Sequence, residues 1–299
     1  MSTSLVTKIL RAVADLSQSF RRTPNPRIVM TLLVKNEEDM IERHLQYHKQ
    51  MGVDAFIVTD NNSTDHTPEI LARYVKKGWI VEVIEEKSSG YEQKKWVDRM
   101  AWLAKTKYHA DWIINADADE FWYAPSGNLK NELGQTDRNV LRCCLYNMLP
   151  DDARPYWQWD KRVLPIPQPN DYNLSPYSIY GRYTYKVAHR AAGYLQISMG
   201  NHKVAMFPKK QANATIYIYH FTIRGREQFL QKMINGGREL ETHKGRHGGR
   251  HWRYFYELYK QGKLEEEYDR VVGNNVYDRL VTEGYIRQDT TLADFLSKM

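Results

Sequence analysis

From residue 27 onward, short apolar runs rich in β-branched residues alternate with longer stretches whose apolar positions recur every three or four residues. The short runs are "RIVMTLLV" from Arg27, "AFIVT" from Ala55, "WIVEVI" from Trp79 and "WIINA" from Trp112. They are too brief for helices and almost continuously apolar, so they read as strands buried on both faces. Between the first two, Met40, Ile41, His44, Leu45, His48 and Met51 share one helical face, with Asn36 as the cap, acids in the first turn and Gly52 as the stop. The next interval offers Thr67 as a cap, Pro68 at the first helical position and Gly78 at the end. The third sets Trp96, Met100 and Leu103 at helical spacing. Residues 27–116 are therefore predicted as βαβαβαβ, an α/β fold with a mostly parallel central sheet flanked by helices.

The pattern changes on either side of this block. Residues 5–20 carry a helical stripe of Leu5, Ile9, Val13, Leu16 and Phe20, with Lys8 and Arg11 off that face, followed by Arg21 and Arg22. Such a helix packs on its own domain or a partner chain, or lies at a membrane interface. "TPNP", Thr23 to Pro26, breaks it. Beyond residue 123 come Pro-, Tyr- and Trp-rich loops with scattered strands such as "VLRCCLYN" and "ATIYIYH", then helical stretches from Arg226. The expected division is an amphipathic helix and linker over 1–26, an α/β domain over 27–225 and a helical extension over 226–299.

Composition narrows this picture modestly. The 299 residues are 42% hydrophobic, enough for a core and against disorder. A formal charge of +7 suits an anionic partner without choosing among nucleotide, nucleic acid and phospholipid. Cys143 and Cys144 are adjacent, so they neither staple distant segments nor complete a zinc site, and a reducing, cytoplasmic setting is the simplest expectation. No apolar run approaches the length of a membrane span, and no signal-peptide pattern is found.

Ligands of open α/β sheets bind outside the carboxyl ends of the strands. That rule selects "VKNEE", "TDNNSTD" and "ADADEFW". In the last, Asp117 and Asp119 stand at i and i+2 on a turn and can point into one crevice. Hard oxygen donors of this kind suit Mg²⁺ or Mn²⁺, which bind one or two carboxylates and complete their shells with water and substrate phosphates. Acidic triplets are also common in solvated turns, and the strand-end position is what favours a metal. Asp60, at the mouth of the second strand, is placed to accept a hydrogen bond from a base or ribose. Neither a G-x-G-x-x-G fingerprint nor a P-loop is found, which leaves carboxylates and a metal to hold a nucleotide.

Together, "LLVKNEEDMIERHLQYHKQMGVDAFIVTDNNSTDHTPEIL" and "WIINADADEFW" resemble glycosyltransferase family 2, in the branch with a D-N-x-S-T-D loop and a D-A-D-E-F motif. The likeness is strong over residues 27–123 and looser in "YKVAHR", "GNHKV" and "YHFTIRGREQFLQKMINGG". It implies a GT-A-like fold, a nucleotide-diphosphate sugar donor with UDP the first expectation, Mn²⁺ or Mg²⁺, and inverting transfer to an acceptor hydroxyl. By position, Asp60 would contact the base, Asp117 the ribose or metal, and Asp119 the metal and diphosphate. Thr31 and the Val34 to Glu37 segment, Asn36 included, would line the nucleotide pocket. His202 and His220 are candidates for a further metal ligand, and Lys186 and Arg190 for the diphosphate. The E-D pair that many members carry before a helix is missing. Asp151 and Asp152 stand in as base candidates, with Glu120 a rival better suited to supporting the metal site. Trp157, Trp159, Tyr172, Tyr177 and Tyr180 are candidates for stacking on an acceptor sugar.

Two other classes remain open on sequence alone. A Mg²⁺-dependent nucleotidyl or phosphoryl transferase would share the clustered acids but calls for further carboxylates and a phosphate loop. A basic nucleic-acid-binding protein would share the charge but has no binding motif here. The segment "HKGRHGGRH", 243–251, reads as a flexible basic loop better than as a metal site. The family expectation is a cytoplasmic enzyme acting on a carbohydrate, glycolipid or glycoprotein acceptor, with the N-terminal helix as a potential membrane contact.

Overall fold

A computed structural model describes residues 5–87, 92–242 and 249–299. Contacts divide the chain into two units, Met1–Leu145 with Thr184–Tyr219, and Tyr146–Tyr183 with His220–Met299. In chain order the elements begin α1 (Leu5–Ala14), β1 (Ile28–Val34), α2 (Ile41–Gln50), β2 (Ala55–Asp60), α3 (Thr67–Lys76), β3 (Ile80–Glu85), α4 (Gln93–Thr106) and β4 (Trp112–Ala116). Then come β5 (Glu120–Tyr123), α5 (Leu129–Gln135), β6 (Val140–Asn147), β7 (Lys161–Val163), β8 (Thr184–Arg190), β9 (Tyr194–Ile197), β10 (Val204–Met206) and β11 (Gln211–His220). The C-terminal part holds α6 (Arg226–Thr242), α7 (Arg250–Lys260), α8 (Leu264–Val272), α9 (Tyr277–Thr282), β12 (Ile286–Gln288) and α10 (Thr291–Leu296).

The main sheet runs β3-β2-β1-β4-β8-β6-β11-β5. Its first four strands are parallel, as the alternating pattern predicts. β8 is antiparallel to both β4 and β6, so the α/β class is as expected while the sheet as a whole is mixed. β1 and β2 are buried almost throughout, which explains their unbroken apolar runs. β1 has β2 on one side and β4 on the other, and chain order reverses there. The carboxyl ends of β1 and β4 thus flank a switch point, where open sheets bind ligands.

Two local expectations need correction. Asn36 does not cap α2, which starts five residues later at Ile41; it is left-handed, φ 55°, and serves the neighbouring loop instead. The stretch "HWRYFYELYKQGKLEEEYDRVV", His251 to Val272, whose apolar spacing reads as one helix, is split into α7 and α8 around Gly262, φ +70°. At Gly52 the stop is obligatory, because φ is +95° and a Cβ would lie 2.3 Å from Asn128 Oδ1. That oxygen accepts the Lys130 N–H and caps α5.

In the first unit, polar groups link strands within the core. Thr31 Oγ1 donates to Asn115 Oδ1 at 2.7 Å, and Asn115 Nδ2 lies 3.2 Å from His189 Nε2. His189 donates through Nδ1 to the Arg190 carbonyl and stacks on Tyr194. Thr31, 1% exposed, is therefore a tie inside the sheet and not a lining group of an open pocket. Burial pushes His189 down to about 4 and His48 well below its ordinary value. Unfolded, both bind protons below about pH 6.5; folded, they resist until the pH is far lower. Stability is accordingly full above 6.5 and lost on acidification from 6.5 toward 4, by about 1.4 kcal/mol per pH unit for each histidine. Melting temperature followed from neutral pH to about pH 5 is expected to fall steadily. A flat profile would contradict neutral burial.

The second unit has its own core, in which Leu149, Tyr180, Phe229, Phe255, Tyr268 and Val271 are buried. β12 pairs antiparallel with β7 within it.

Candidate active site

The loops after β1 and β2 are laced together by the Asn, Ser and Thr residues of their motifs. Asn36 Oδ1 accepts the Thr64 N–H at 2.8 Å, and the Asn36 N–H donates to Ser63 Oγ at 3.0 Å. The Glu37 N–H donates to Thr67 Oγ1 at 2.9 Å, and the Asn61 N–H to the Val34 carbonyl at 2.9 Å. Asp60 Oδ1 takes both the N–H and the hydroxyl of Ser63, at 3.1 and 2.6 Å. Its other oxygen, Oδ2, has no protein hydrogen bond among the described residues. Most polar residues of the D-N-N-S-T-D stretch thus build the loop, while Asp60 keeps one oxygen for a ligand.

After β4 the chain turns tightly through Asp117, Ala118 and Asp119 into β5. The Asp117 N–H donates to Glu120 Oε2 at 3.2 Å, and the Glu120 N–H donates back to the Asp117 carbonyl at 3.1 Å. Asp117 and Asp119 are half-buried, whereas Glu120 is 1% exposed. A buried carboxylate needs a counter-charge, and Lys186 supplies it. Its Nζ lies 2.7 Å from Glu120 Oε1 and 2.6 Å from Asp117 Oδ2. Strand register brings it there: β8 sets Ala188 opposite Ile114, so Lys186, two residues earlier, comes alongside the end of β4. Burial alone would lower the Lys186 ammonium, but Glu120 and Asp117 outweigh it and hold its pKa above the usual lysine value.

Three carboxylates, Asp117, Asp119 and Glu120, cluster at this turn, and Lys186 pairs with two of them. Asp117 Oδ1 has no protein partner among the described residues, and it lies on the same half-buried turn as the Asp119 carboxylate. Clustered hard oxygen donors and partial exposure fit Mg²⁺ or Mn²⁺.

Below the turn lies α2. His44 donates through Nδ1 to the Ala118 carbonyl at 3.0 Å, while His48, one helical turn on, accepts the Trp122 N–H on Nε2 at 3.0 Å. Burial drives His44 down to about 3, so both rings are neutral and each nitrogen's role is fixed by its partner. The sequence pattern marks both histidines only as part of a core-facing stripe. The one available signal is the i, i+4 pair itself, which puts two ring nitrogens on one face.

Other predicted residues are placed as follows. Arg190 is opposite Trp112, at the beginning of β4 and the far end of the strand from Asp117. Its guanidinium donates to the Thr136 and Arg138 carbonyls and lies over the Trp112 ring, so it is a structural residue and not a diphosphate ligand. Lys186, by the same geometry, is the acids' counter-ion. His202 is exposed and donates through Nδ1 to the Tyr185 carbonyl, one residue from Lys186. His220 ends β11 and donates through Nδ1 to Asn147 Oδ1 at 2.9 Å.

In the second unit, Asp151 is held by Arg154 at 2.7 Å, and Arg154 also grips Asp160. Asp152 is exposed; its Oδ1 accepts the Arg226 N–H at 3.1 Å. Asp152 lines two cavities, one of about 300 Å³ with Asp151, Lys161, Tyr268 and Tyr277, and one of about 710 Å³ with Arg224 and Gln228. Of the aromatic candidates, Trp159, Tyr172 and Tyr180 are buried in this unit, leaving Trp157 half-buried and Tyr177 exposed. The basic loop lies largely outside the described residues; only 249–251 are seen, at the start of α7.

The chain is a glycosyltransferase. It matches the model of glycosyltransferase family 92 over residues 30–257, most of its length, and belongs to that family. The motif resemblance to family 2 stands at the coarser level of the enzyme class. No curated protein matches the chain. Among solved structures, TarS 1-349 of S. aureus in complex with UDP aligns at 14% identity and a TM-score of 0.39, covering 82% of this chain and 71% of that one. Mannosyltransferase PcManGT from Pyrobaculum calidifontis, in complex with GDP-Man and Mn²⁺, aligns at 14% identity and a TM-score of 0.37, covering 93% and 86%. Glucosyl-3-phosphoglycerate synthase from Mycobacterium tuberculosis, in complex with Mn²⁺, UDP and glucosyl-3-phosphoglycerate, gives 19% identity, a TM-score of 0.29 and 49% of each chain. Likenesses this distant say nothing of this chain's substrate.

Proposed function

We propose that this glycosyltransferase, of GT-A-like type, moves a sugar from a nucleoside-diphosphate donor, a UDP-sugar first, to an acceptor hydroxyl with inversion. The carrying observation is the turn at the switch point, where Asp117, Asp119 and Glu120 cluster and Lys186 pairs with Asp117 and Glu120. Asp119 and Asp117 Oδ1 would hold Mn²⁺ or Mg²⁺, with His202 or His220 as a further ligand. The bound cation would neutralise the charge of the departing diphosphate. Asp60 Oδ2 would accept from the base, with the Val34–Glu37 loop beside it. In transfer, the acceptor oxygen forms its bond to the anomeric carbon as the bond to the diphosphate breaks, and the acceptor proton passes to a carboxylate. Asp151 and Asp152 are the proposed base candidates.

The acceptor is proposed as a carbohydrate, glycolipid or glycoprotein. Both cysteines are free, in keeping with a reducing, cytoplasmic setting. Calorimetric titration of UDP and GDP, with and without Mn²⁺, tests the donor site: metal-dependent binding of one nucleotide is expected, and metal-independent binding or none would overturn the reading.

The histidine pair yields a graded prediction. His44→Leu removes the donor to a buried carbonyl, at a cost of about 1–3 kcal/mol, and is expected to lower turnover about tenfold by loosening the turn that carries the acids. His44→Asn, whose amide can replace the Nδ1–H, recovers part of both in urea melts and initial rates.

A further inference from the structure

The apolar stripe of α1 faces outward. Val6 is 67% exposed, Ile9 42%, Leu10 65%, Val13 45% and Leu16 44%. The helix is docked by the opposite face, at positions 8, 12, 15 and 19. Lys8 Nζ is 2.8 Å from Asp98 Oδ2 and lies over the Trp102 ring. Ala12 and Ser19 are fully buried. Asp15 Oδ2 is 2.6 Å from Lys105 Nζ and accepts the Gly193 N–H at 3.2 Å. A surface helix ordinarily buries its apolar side and solvates its charges. Here two ion pairs fix the helix with that arrangement reversed, and rotation to bury the stripe would break both.

The surroundings of the stripe are apolar and basic. Phe207 is 47% exposed, and its N–H donates to the carbonyl of Gly193, the residue whose N–H holds Asp15. Lys210 lies over the Phe20 ring, and Arg21, Arg22, Lys209 and Lys210 are all exposed. Between residues 5 and 22 the one carboxylate is Asp15, already neutralised by Lys105. An exposed apolar strip beside cations that form no ion pair among the described residues matches an interfacial helix, whose apolar face enters the headgroup boundary while its basic residues meet anionic lipid. A second copy of the chain would set these cations against their own kind.

We infer that α1, with Phe207, Arg21, Arg22, Lys209 and Lys210, seats the protein on an anionic phospholipid surface. Among the described residues no helix is long and apolar enough to cross a membrane, so this attachment is peripheral. It is independent of the donor site.

The test is co-sedimentation of the full chain with vesicles of phosphatidylcholine alone and of phosphatidylcholine mixed with phosphatidylglycerol. Partition into the mixed vesicles is expected, weakening as salt rises. Leu10→Asp with Val13→Asp should lower the partition coefficient at least about tenfold with an unchanged melting temperature, because both side chains are solvated. Arg21→Glu with Arg22→Glu, a second variant away from any packing, should lower it about fivefold or more per residue and flatten the salt dependence. Equal binding to both vesicles, no binding to either, or variants that bind like the parent would overturn the inference. So would light scattering that shows a dimer converted to monomer by the Leu10 and Val13 substitutions, since the face would then belong to a second copy.

Discussion

Lys186→Met is expected to destabilise the protein by about 3–5 kcal/mol, because it removes the ammonium that pairs with the buried Glu120 and with Asp117. For a chain of this size the melting temperature should fall by roughly 10 °C. Combining it with Glu120→Gln should restore most of the loss, since a neutral pair no longer needs the ammonium. The same variant separates two roles for Lys186. As counter-ion to the acids, its removal leaves divalent-cation affinity equal or stronger at a temperature where the protein is folded. As a ligand of the diphosphate, it would instead raise the donor KM with little effect on stability. Circular-dichroism melts beside Mn²⁺ titration decide between them.

Asp119→Ala is expected to do the opposite. The side chain is half-buried on a turn, so stability should change by less than about 1 kcal/mol, while turnover should fall on the order of 10³-fold through loss of a metal ligand. Asp117→Ala lies between the two: it removes a metal oxygen and also one of the two partners of Lys186, so both activity and stability should drop. Initial rates and melts on the three variants give a pattern that a purely structural acidic turn would not produce, because Asp119 would then be silent in rate.

The parallel half of the sheet was legible because burial on both faces leaves β1, β2 and β4 as unbroken apolar runs with helices between them. The acids were legible for the converse reason: Asp117 and Asp119 interrupt such a run at its carboxyl end. The partner of those acids was not. Lys186 follows Asp117 by sixty-nine residues, and only the antiparallel register of β8 against β4 shows that it, and not Arg190, reaches the turn. A four-residue slip of that register would bring Arg190 to the turn instead, and nothing in "YKVAHR" fixes it.

His44 and His48 were visible as members of a helical face, but their hydrogen bonds depend on which loop lies beneath α2. The N-terminal stripe shows a related limit. Periodicity reveals which face of a helix is apolar, and only tertiary ion pairs, here through Lys8 and Asp15, decide whether that face turns inward. The second unit was the least legible, because its two segments, 146–183 and 220–299, are separated in sequence by strands that belong to the first. Helical periodicity located α6 to α8, yet it carries no information about which earlier loop shares their core.

The central claim is that the Asp117–Asp119 turn holds a divalent cation for transfer from a nucleotide sugar. Its most direct test is release of nucleoside diphosphate from a panel of nucleotide sugars with Mn²⁺, comparing the parent chain with Asp119→Ala. The expected result is turnover of one donor by the parent, abolished by EDTA, restored by added Mn²⁺ and lost in a variant that melts normally. Turnover that survives EDTA, or an Asp119→Ala protein as active as its parent, would contradict it.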